Sequence, residues 1–250
     1  MAARPPGALP TYARCHDARM AIQANRQASV IDLDAVDPED RAAAAPQAAA
    51  DGATGADLRR AAAGCRSCHL WERATQTVFG DGPVPAPLML VGEQPGDSED
   101  LEGAPFVGPA GKMLDRALEA AGIDREQAFV TNVVKHFKWR PDPRSKRRLH
   151  ERPDRAEVGA CLPWVHAELA LVRPQALVAL GATAAAALLG PSIRVTRDHG
   201  RPLASDLAPL VIATIHPSAI LRARGADRRE GALAGLVDDL RLVAMALERR

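Results

Sequence analysis

The feature that most constrains the fold of this 250-residue chain is a set of short apolar runs separated by segments of helical spacing. Short apolar runs that stop at a turn are typical of buried strands. The expected strands are Pro87–Gly92, Phe129–Val134, Ala176–Gly181 and Leu210–Thr214, and the expected helices are Gly111–Ala121, Asp154–Val172, Thr183–Leu189 and Gly231–Leu247. This alternation predicts an α/β fold, a three-layer α/β/α sandwich around a central, mostly parallel four-stranded sheet.

Polar residues occur where three of these strands end. The first strand leads into Gly92-Glu93-Gln94-Pro95-Gly96-Asp97, the second carries Asn132 near its exit, and the last delivers His216-Pro217-Ser218. The carboxyl ends of parallel strands lie at one edge of the sheet, where such folds bind their ligands. The sequence therefore predicts a site at that edge.

Residues 1–58 are rich in Ala, Pro, Arg and Asp and lack a sustained apolar period. That composition predicts a flexible N-terminal extension, in which Cys15 is a spectator thiol, followed by one enzyme-sized domain over residues 59–250. No apolar run approaches the roughly 18 residues that a transmembrane helix needs, and no signal-peptide core follows the start. We therefore expect a cytoplasmic protein that does not contact a membrane.

The formal net charge of +1 conceals a basic segment. Residues 135–155 carry nine basic side chains and three acidic ones. Such a segment is either a solvated loop or an anion-binding surface, and DNA phosphates are the polyanion that fits it best. Charge alone does not decide between the two.

Three of the four cysteines are candidate metal ligands. Cys65-x-x-Cys68 can place two thiolates on one metal, and Cys161 can add a third from a helix. The fourth ligand would be His136, directly after the second strand, or His69, next to the cysteine pair. Three thiolates and an imidazole suit zinc and an iron–sulfur cluster equally well. The alternative without metal is a reduced pair and a buried helix cysteine.

The order of motifs along the chain resembles the family 4 uracil-DNA glycosylases that carry an iron–sulfur cluster. The motifs are Cys65-x-x-Cys68, Gly92-Glu93-Gln94-Pro95-Gly96, Pro105-Phe106-Val107-Gly108, Thr131-Asn132-Val133-Val134-Lys135, Cys161-x-Pro163-Trp164 and His216-Pro217-Ser218. The resemblance covers about residues 60–247.

Two departures from ordinary members look like the UdgX subgroup, whose members bind uracil-containing DNA covalently through a histidine. They are Gln94 in the first motif and the insert Lys146-Arg147-Arg148-Leu149-His150. His136 stands where ordinary members have a cysteine, and the subgroup is expected to use it as a ligand. The resemblance therefore implies a structural [4Fe-4S] cluster, in preference to zinc, with the ligands Cys65, Cys68, His136 and Cys161.

The resemblance also implies roles at the uracil base. Breaking the glycosidic bond of deoxyuridine leaves a uracil anion and a sugar with oxocarbenium character, so the site must stabilise both. Asn132 is expected to read the base, and His216 to support charge on the leaving oxygen. Phe106 is expected to stack on the extruded base.

The first motif is expected to act near the sugar. Glu93 can stabilise the cationic sugar or orient an attacking group, and Gln94 can hold the base or a neighbouring water through its amide. Asp97 completes the expected substrate-binding residues, which are Gln94, Asp97, Phe106 and Asn132.

His150 is expected to be the nucleophile, although a histidine in an Arg-rich loop is ordinarily just solvated. A neutral imidazole can attack the sugar carbon in place of water, and the adjacent positive charges are expected to lower its pKa and keep it unprotonated. The expected catalytic residues are thus Glu93, His150 and His216. Contacts to DNA phosphates are expected from Lys146, Arg147, Arg148 and Arg222.

Three function classes fit these residues. The first is a single-turnover enzyme that excises uracil and stays covalently attached to the DNA; the second is a turnover glycosylase in which water, oriented by Glu93, leaves a free abasic site. The third is a metal-stabilised DNA-binding module without chemistry. The His150 insert favours the first, because it has no evident purpose in a water-using enzyme. The expected partners are uracil-containing DNA, preferably single-stranded, and released uracil, and the chain is expected to be a monomer.

Overall fold

The central sheet is fully parallel. The computed structural model describes residues 30–249. Strands β1 (Leu88–Gly92), β2 (Ala128–Asn132), β5 (Ala176–Leu180) and β6 (Leu210–Thr214) pair in the order β2-β1-β5-β6. Strands β3 (Trp139–Pro141) and β4 (Arg148–His150) form a separate antiparallel hairpin.

Helices cover both faces of this sheet. In chain order they are α1 (Arg41–Ala50), α2 (Gly55–Ala63), α3 (Asp97–Glu102), α4 (Pro109–Ala120), α5 (Arg155–Val172), α6 (Ala182–Leu189), α7 (Val195–Asp198), α8 (Pro217–Arg222) and α9 (Ala226–Glu248), with short 3-10 turns at His69–Glu72 and Arg125–Gln127. The expected three-layer α/β fold is therefore confirmed. None of the helices within residues 30–249 is long and apolar enough to cross a bilayer.

Alternate residues of each strand face the two helical layers. On one face, Met89 and Leu177 join a core with the buried sides of α1, α2 and α5. On the other, Leu90 and Val178 join a core with α4 and α9. Because both faces are covered, all five residues of β1, β2 and β5 are buried, which explains why these strands are continuous apolar runs in the sequence.

Several element boundaries differ from the expectation. Strand β2 ends at Asn132 rather than Val134, although the backbone N–H groups of Val133 and Val134 still bond to the carbonyls of Gly92 and Glu93. The last helix begins at Ala226 rather than at residue 231. The basic insert was expected to be a loop, but its ends pair as the β3–β4 hairpin, with Trp139 opposite His150.

The expected N-terminal boundary at residue 58 needs correction within the described residues. Helix α1 packs along α5 and buries Ala42, Ala45 and Ala48 in the core. Because alanine side chains are small, the sequence of this segment shows no apolar pattern that predicts a helix. Packing against α5 nevertheless stabilises α1. The packed domain starts near residue 31. Residues 1–29, including Cys15, lie outside the described residues.

Candidate active site

A pocket of about 380 Å³ opens at the carboxyl edge of the sheet. It gathers residues at the ends of β1, β2 and β6, where parallel sheets bind ligands, together with His150 of the β3–β4 hairpin. Of the predicted site residues, Gln94, Asp97, Phe106, Asn132, His150, His216 and Arg222 line it.

Gly92, the last residue of β1, lets two side chains meet at the pocket floor. A Cβ at this position would lie 2.4 Å from Asn132 Oδ1 and 2.7 Å from the Phe106 ring. The backbone carbonyl of Asn132 accepts a hydrogen bond from Lys135 Nζ. Within residues 30–249, no hydrogen bond engages the side-chain carboxamide of Asn132. The buried Asn132 side chain therefore presents both a donor and an acceptor to the pocket.

The loop that carries Phe106 is held in an unusual conformation. Phe106 has a φ of 58°, in the left-handed region, and its carbonyl oxygen packs where a Cβ of Gly111 would lie. Glu99 anchors both ends of the segment that contains α3 and Phe106. Its carboxylate accepts from the backbone N–H groups of Gly96 and Gly108 at 3.0 and 2.9 Å. The Phe106 ring then stacks against the His216 ring, with their centroids 6.0 Å apart.

His216 is held as a neutral imidazole with its proton on Nε2. Its Nδ1 accepts from the Ser218 backbone N–H at 3.2 Å, and the Ser218 hydroxyl lies 2.7 Å from the same nitrogen. That hydroxyl accepts from Arg222, so its own proton is free for His216 Nδ1. Burial, helped by the charges of Arg222 and His150, lowers the pKa of His216 to about 4. The ring therefore offers the pocket an uncharged N–H donor.

His150 Nε2 lies at the pocket wall, 3.0 Å from Gln94 Nε2. An amide nitrogen can only donate, so in this contact the imidazole nitrogen accepts and the ring proton is on Nδ1. The two amide hydrogens of Gln94 face three acceptors. Besides His150 Nε2, these are the backbone carbonyls of Lys138 and Glu151, which lie 3.2 and 3.0 Å from Gln94 Nε2. His150 can therefore leave this contact while the amide stays satisfied.

Burial is the main reason why the pKa of His150 lies below its ordinary value. Arg222 lowers this pKa further, while the carboxylates of Glu93 and Glu99 raise it. The expected direction is thus found, but its expected cause, the adjacent basic residues of the insert, is not the dominant one. At neutral pH the imidazole is unprotonated and can act as a nucleophile.

Glu93 lies beside this imidazole, with its Oε1 3.7 Å from His150 Nε2. Its other oxygen accepts from the Thr183 hydroxyl and lies 3.9 Å from Arg152 Nε. Arg152 also donates to Thr183 at 3.1 Å. The carboxylate is therefore fixed in place, with one oxygen directed toward His150.

Comparison with known proteins agrees with this geometry. The family model for the uracil DNA glycosylase superfamily matches residues 79–241. The chain belongs to this superfamily. It is 37% identical to a type-4 uracil-DNA glycosylase of Thermotoga maritima over 66% of this chain and 82% of that protein. It is also similar to two further type-4 uracil-DNA glycosylases. The one of Sulfurisphaera tokodaii is 35% identical over 63% of this chain and 71% of that protein. The one of Pyrobaculum aerophilum is 37% identical over 63% of this chain and 80% of that protein.

One predicted DNA-binding residue of this superfamily member is engaged by carboxylates within the protein. Arg148 is only 17% exposed and is engaged by Asp97 and by Asp100, whose carboxylate it reaches at 2.6 Å. Its guanidinium also lies over the rings of Phe137 and Trp139. Arg148 thus clamps the hairpin to α3, and Asp97 is partly occupied by the same clamp.

The remaining predicted DNA-binding residues are solvent-exposed. Lys146 and Arg147 lie in the turn between β3 and β4. Arg222 is exposed at the end of α8, where it also donates to Ser218 at 3.0 Å. These three cations are available to a polyanion.

The predicted metal ligands line a second, small cavity between α2, α5 and the segment after β2. Cys65, Cys68, His136 and Cys161 all contribute to its wall. The competing candidate His69 is absent from this wall; its side chain is 65% exposed and lies 3.3 Å from Glu157. The structure therefore brings together the set with His136 as the fourth member.

Hydrogen bonds around this cavity suit metal-bound sulfur. Cys161 Sγ accepts from the Lys135 N–H at 3.2 Å, and Cys65 Sγ accepts from Trp164 Nε1 at 3.4 Å. Thr77 donates to the Ala62 carbonyl, so it accepts from His136 Nε2, which leaves His136 Nδ1 unprotonated. Burial raises the pKa of the Cys161 thiol to about 12, so a bound cation would be needed to hold it as a thiolate.

The four predicted ligand side chains share the wall of one cavity, but among residues 30–249 no three His, Cys, Asp or Glu side chains lie close enough to share a single metal ion.

Sequence reasoning missed Thr183 and Arg152, which hold Glu93, and the role of the Lys138 backbone beside Gln94. Thr183 was detectable in principle, because it lies three residues after the end of β5, at the same sheet edge. Arg152 and Lys138 lie in the basic segment, where nothing in the sequence separates a structural residue from a solvated one.

Proposed function

We propose that this protein is a uracil-DNA glycosylase of the UdgX type, which excises uracil and then remains covalently bound to the DNA through His150. Membership of the superfamily supports the excision of uracil. The observation that carries the covalent step is the position of His150 Nε2, unprotonated and 3.7 Å from Glu93 at the wall of the base pocket.

The pocket supplies the groups that an extruded uracil requires. The Asn132 carboxamide can pair with the base edge, and the Phe106 ring can stack on its face. The neutral His216 can donate from Nε2 to the oxygen where charge develops as the glycosidic bond breaks. Preorganised donors of this kind stabilise the leaving anion without reorganisation.

The sugar side carries the opposite charge. As the bond from C1′ to uracil N1 breaks, its electron pair leaves with uracil and C1′ becomes electrophilic. The Glu93 carboxylate stabilises this cation, and the Thr183 hydroxyl keeps the carboxylate in position. The two fragments are thus stabilised by different residues.

His150 then supplies the lone pair of Nε2 to C1′, which forms a carbon–nitrogen bond. The resulting imidazolium loses its Nδ1 proton to water and becomes a neutral, alkylated imidazole. A bond of this kind lacks a good leaving group, so the protein is used once. The Gln94 amide, which faces two further acceptors, can release Nε2 for this attack.

A second candidate is a turnover glycosylase, in which Glu93 orients a water for attack on C1′. The exposure of His150, whose side chain is 49% accessible, favours this reading because water has access to the same position. The products differ: this reaction releases uracil in excess of protein and leaves a free abasic site.

Exposed cations support DNA binding. Lys146, Arg147 and Arg222 can pair with phosphates, which positions a strand without reading its sequence. Preference for single-stranded DNA, a monomeric state and a cytoplasmic location stay predictions.

We further propose that Cys65, Cys68, His136 and Cys161 hold a [4Fe-4S] cluster, with zinc as the alternative. When bound, the cluster links the segment after α2, the segment after β2 and α5, and its role is structural. Measurement of iron, acid-labile sulfide and zinc in the purified protein tests this. About four irons and four sulfides per chain support the cluster, whereas one zinc without sulfide contradicts it.

The deciding experiment for the covalent reaction uses a single-stranded oligonucleotide with one uracil. The protein is mixed with it, boiled in detergent and run on a denaturing gel, with a thymine strand as substrate control. We expect a band shifted by the mass of the oligonucleotide. His150→Ala should abolish that band, while the matched change at an exposed histidine of α5, His166→Ala, should not. A shifted band with His150→Ala, or excess free uracil without any band, contradicts the proposal.

A further inference from the structure

One carboxylate oxygen holds the chain on both sides of His150. His150 is the last residue of β4, and Asp154 caps α5 four residues later. Glu157 Oε2, in the first turn of α5, accepts from the Asp154 backbone N–H at 2.6 Å and from Lys138 Nζ at 2.9 Å. Lys138 directly precedes β3, whose Trp139 lies opposite His150. Glu157 therefore contacts the chain where it enters the β3–β4 hairpin and again after it has left.

The Lys138 backbone extends this anchor to the proposed nucleophile. Its N–H donates to Gln94 Oε1 at 3.1 Å, and its carbonyl accepts from Gln94 Nε2 at 3.2 Å. The same carbonyl accepts from the Glu151 backbone N–H at 3.0 Å. Gln94 Nε2 in turn lies 3.0 Å from His150 Nε2. A chain of direct contacts thus runs from Glu157 through Lys138 and Gln94 to the imidazole.

Burial makes the Glu157–Lys138 ion pair a firm anchor. The Glu157 side chain is 2% exposed and that of Lys138 is 19% exposed. The second carboxylate oxygen, Glu157 Oε1, has no hydrogen-bond partner within residues 30–249. Because water cannot solvate a buried carboxylate, separation of Lys138 from Glu157 is strongly disfavoured. An exposed ion pair would not restrain the hairpin in this way.

Helix capping alone does not require a charge at this position. Glu157 is the third residue of the α5 capping box, where its side chain bonds to the backbone of Asp154. Glutamine serves that purpose as well as glutamate does. The negative charge of Glu157 is needed only for the pair with Lys138. Glu157→Gln therefore separates the two roles, because it keeps the cap and removes the ion pair.

From these contacts we infer that Glu157 is a positioning residue for the covalent step, which holds His150 beside the pocket so that imidazole rather than water captures C1′. The inference rests on the proposed function, because it takes His150 as the nucleophile. Attack by His150 forms a carbon–nitrogen bond, whereas attack by water forms a carbon–oxygen bond and leaves a free abasic site. A displacement of about 1 Å slows a positioned nucleophile by about 100-fold. Water then competes, because the His150 side chain is 49% exposed.

The ratio of the two products tests the inference. An end-labelled single strand with one uracil is incubated with the purified protein, and each sample is divided. One half is boiled in detergent to measure the covalent band; the other is heated in alkali, which cleaves the strand at free abasic sites. Protein that does not fold forms neither product, so the ratio reports only on molecules that excise uracil.

We expect Glu157→Gln to lower the ratio of covalent product to free abasic site by about tenfold. Lys138→Met should lower it as much, and the double variant no further, because both changes break the same pair. The matched control is Asp57→Asn, which makes the same change at the third residue of the α2 capping box, where the carboxylate pairs with Arg60 at 2.9 Å. Asp57→Asn should keep the wild-type ratio. An unchanged ratio in Glu157→Gln, or an equal fall in Asp57→Asn, overturns the inference.

A second measurement needs neither DNA nor the covalent reaction. Diethyl pyrocarbonate acylates unprotonated imidazole, and mass spectrometry of proteolytic peptides reports the rate at His150 separately from the other histidines. We expect His150 to react about threefold faster in Glu157→Gln than in wild type, because the hydrogen bond from Gln94 is weakened. Gln94→Ala should give the same increase. Equal rates at His150 in wild type and Glu157→Gln overturn the inference.

The proposed function fails in a different way. If wild type forms free abasic sites but no covalent band, His150 is not the nucleophile, and the acylation rates still decide whether Glu157 holds this side chain in place.

Discussion

Gln94 Nε2 lies 3.0 Å from His150 Nε2, and the Gln94 side chain also exchanges hydrogen bonds with both backbone groups of Lys138. This one amide therefore ties the segment after β1 to both strands of the hairpin. It holds the proposed nucleophile beside the pocket before the attack, when the imidazole leaves this contact.

Gln94→Ala should slow formation of the covalent complex by about 10- to 100-fold, because a nucleophile displaced by about 1 Å loses that much rate. The measurement is a time course of the shifted band on denaturing gels. The matched control is Gln127→Ala, at an exposed glutamine. Equal rates for the two variants would show that Gln94 does not position His150.

The covalent reaction should tolerate mild acid. The pKa of His150 lies below its ordinary value of 6.5, mainly through burial, and that of His216 lies at about 4. Both rings must be neutral, so the rate is lost only as pH falls through these depressed values. We expect the rate to reach half its maximum below pH 6.5. A half-maximal point at or above 6.5 would contradict the assignment of His150 as a neutral nucleophile with a lowered pKa.

Ser218→Ala should weaken uracil excision by about tenfold, equivalent to about 1.4 kcal/mol. The change removes the hydroxyl that lies between Arg222 and His216 Nδ1, but the Ser218 backbone N–H still holds the ring. Single-turnover release of uracil measures the effect, with Ser192→Ala, an exposed serine, as control. If Ser218→Ala matched Ser192→Ala, the hydroxyl would have no part in positioning His216.

A buried ion pair is hydrogen-bonded to the backbone of the site residue Asn132. Lys135 and Glu168 are each 1% exposed; Lys135 Nζ donates to Glu168 at 2.8 Å and to the Asn132 carbonyl at 2.8 Å. Lys135→Met should cost about 3 to 5 kcal/mol of stability, because it leaves a buried carboxylate unpaired. Adding Glu168→Gln should recover part of this, since the neutral amide still accepts from the Gly80 N–H. Urea denaturation measures both; strictly additive losses would show that the two side chains are not coupled.

Much of the fold could be predicted, because its strands are covered on both faces and so appear as apolar runs. The start of α5 was predictable as well: the Asp154 side chain accepts from the backbone N–H groups of Ala156 and Glu157, as an N-cap aspartate does. The convergence of Asn132 and His216 followed from the parallel topology alone.

Other features depend on contacts that no local pattern encodes. The strands of the β3–β4 hairpin are three residues long, too short to show a period. Arg148 resembles its exposed neighbours in sequence, but its partner Asp100 lies 48 residues away in the chain. The left-handed conformation of Phe106 similarly depends on the packing of Gly111.

The N-terminal helix offers the sharpest test of where the domain begins. A chain that starts at Thr54 keeps the capping box of α2, in which Thr54 and Asp57 bond to each other, but loses α1. A chain that starts at residue 30 keeps both. We expect the shorter chain to lose about 3 kcal/mol, because the α5 surface under α1 becomes exposed, which lowers Tm by about 6 to 12 °C.

The same deletion should also weaken the proposed cluster site. The carbonyl of Pro38 accepts from the Arg66 N–H at 2.7 Å, and that of Glu39 accepts from the Ser67 hydroxyl at 2.6 Å. Both contacts hold the loop between Cys65 and Cys68. We therefore expect a lower iron content per chain as well as a lower Tm for the chain that starts at Thr54. Equal Tm and iron content in the two chains would place the boundary near residue 58 after all, since neither α1 nor the Pro38–Glu39 segment would then contribute to the domain.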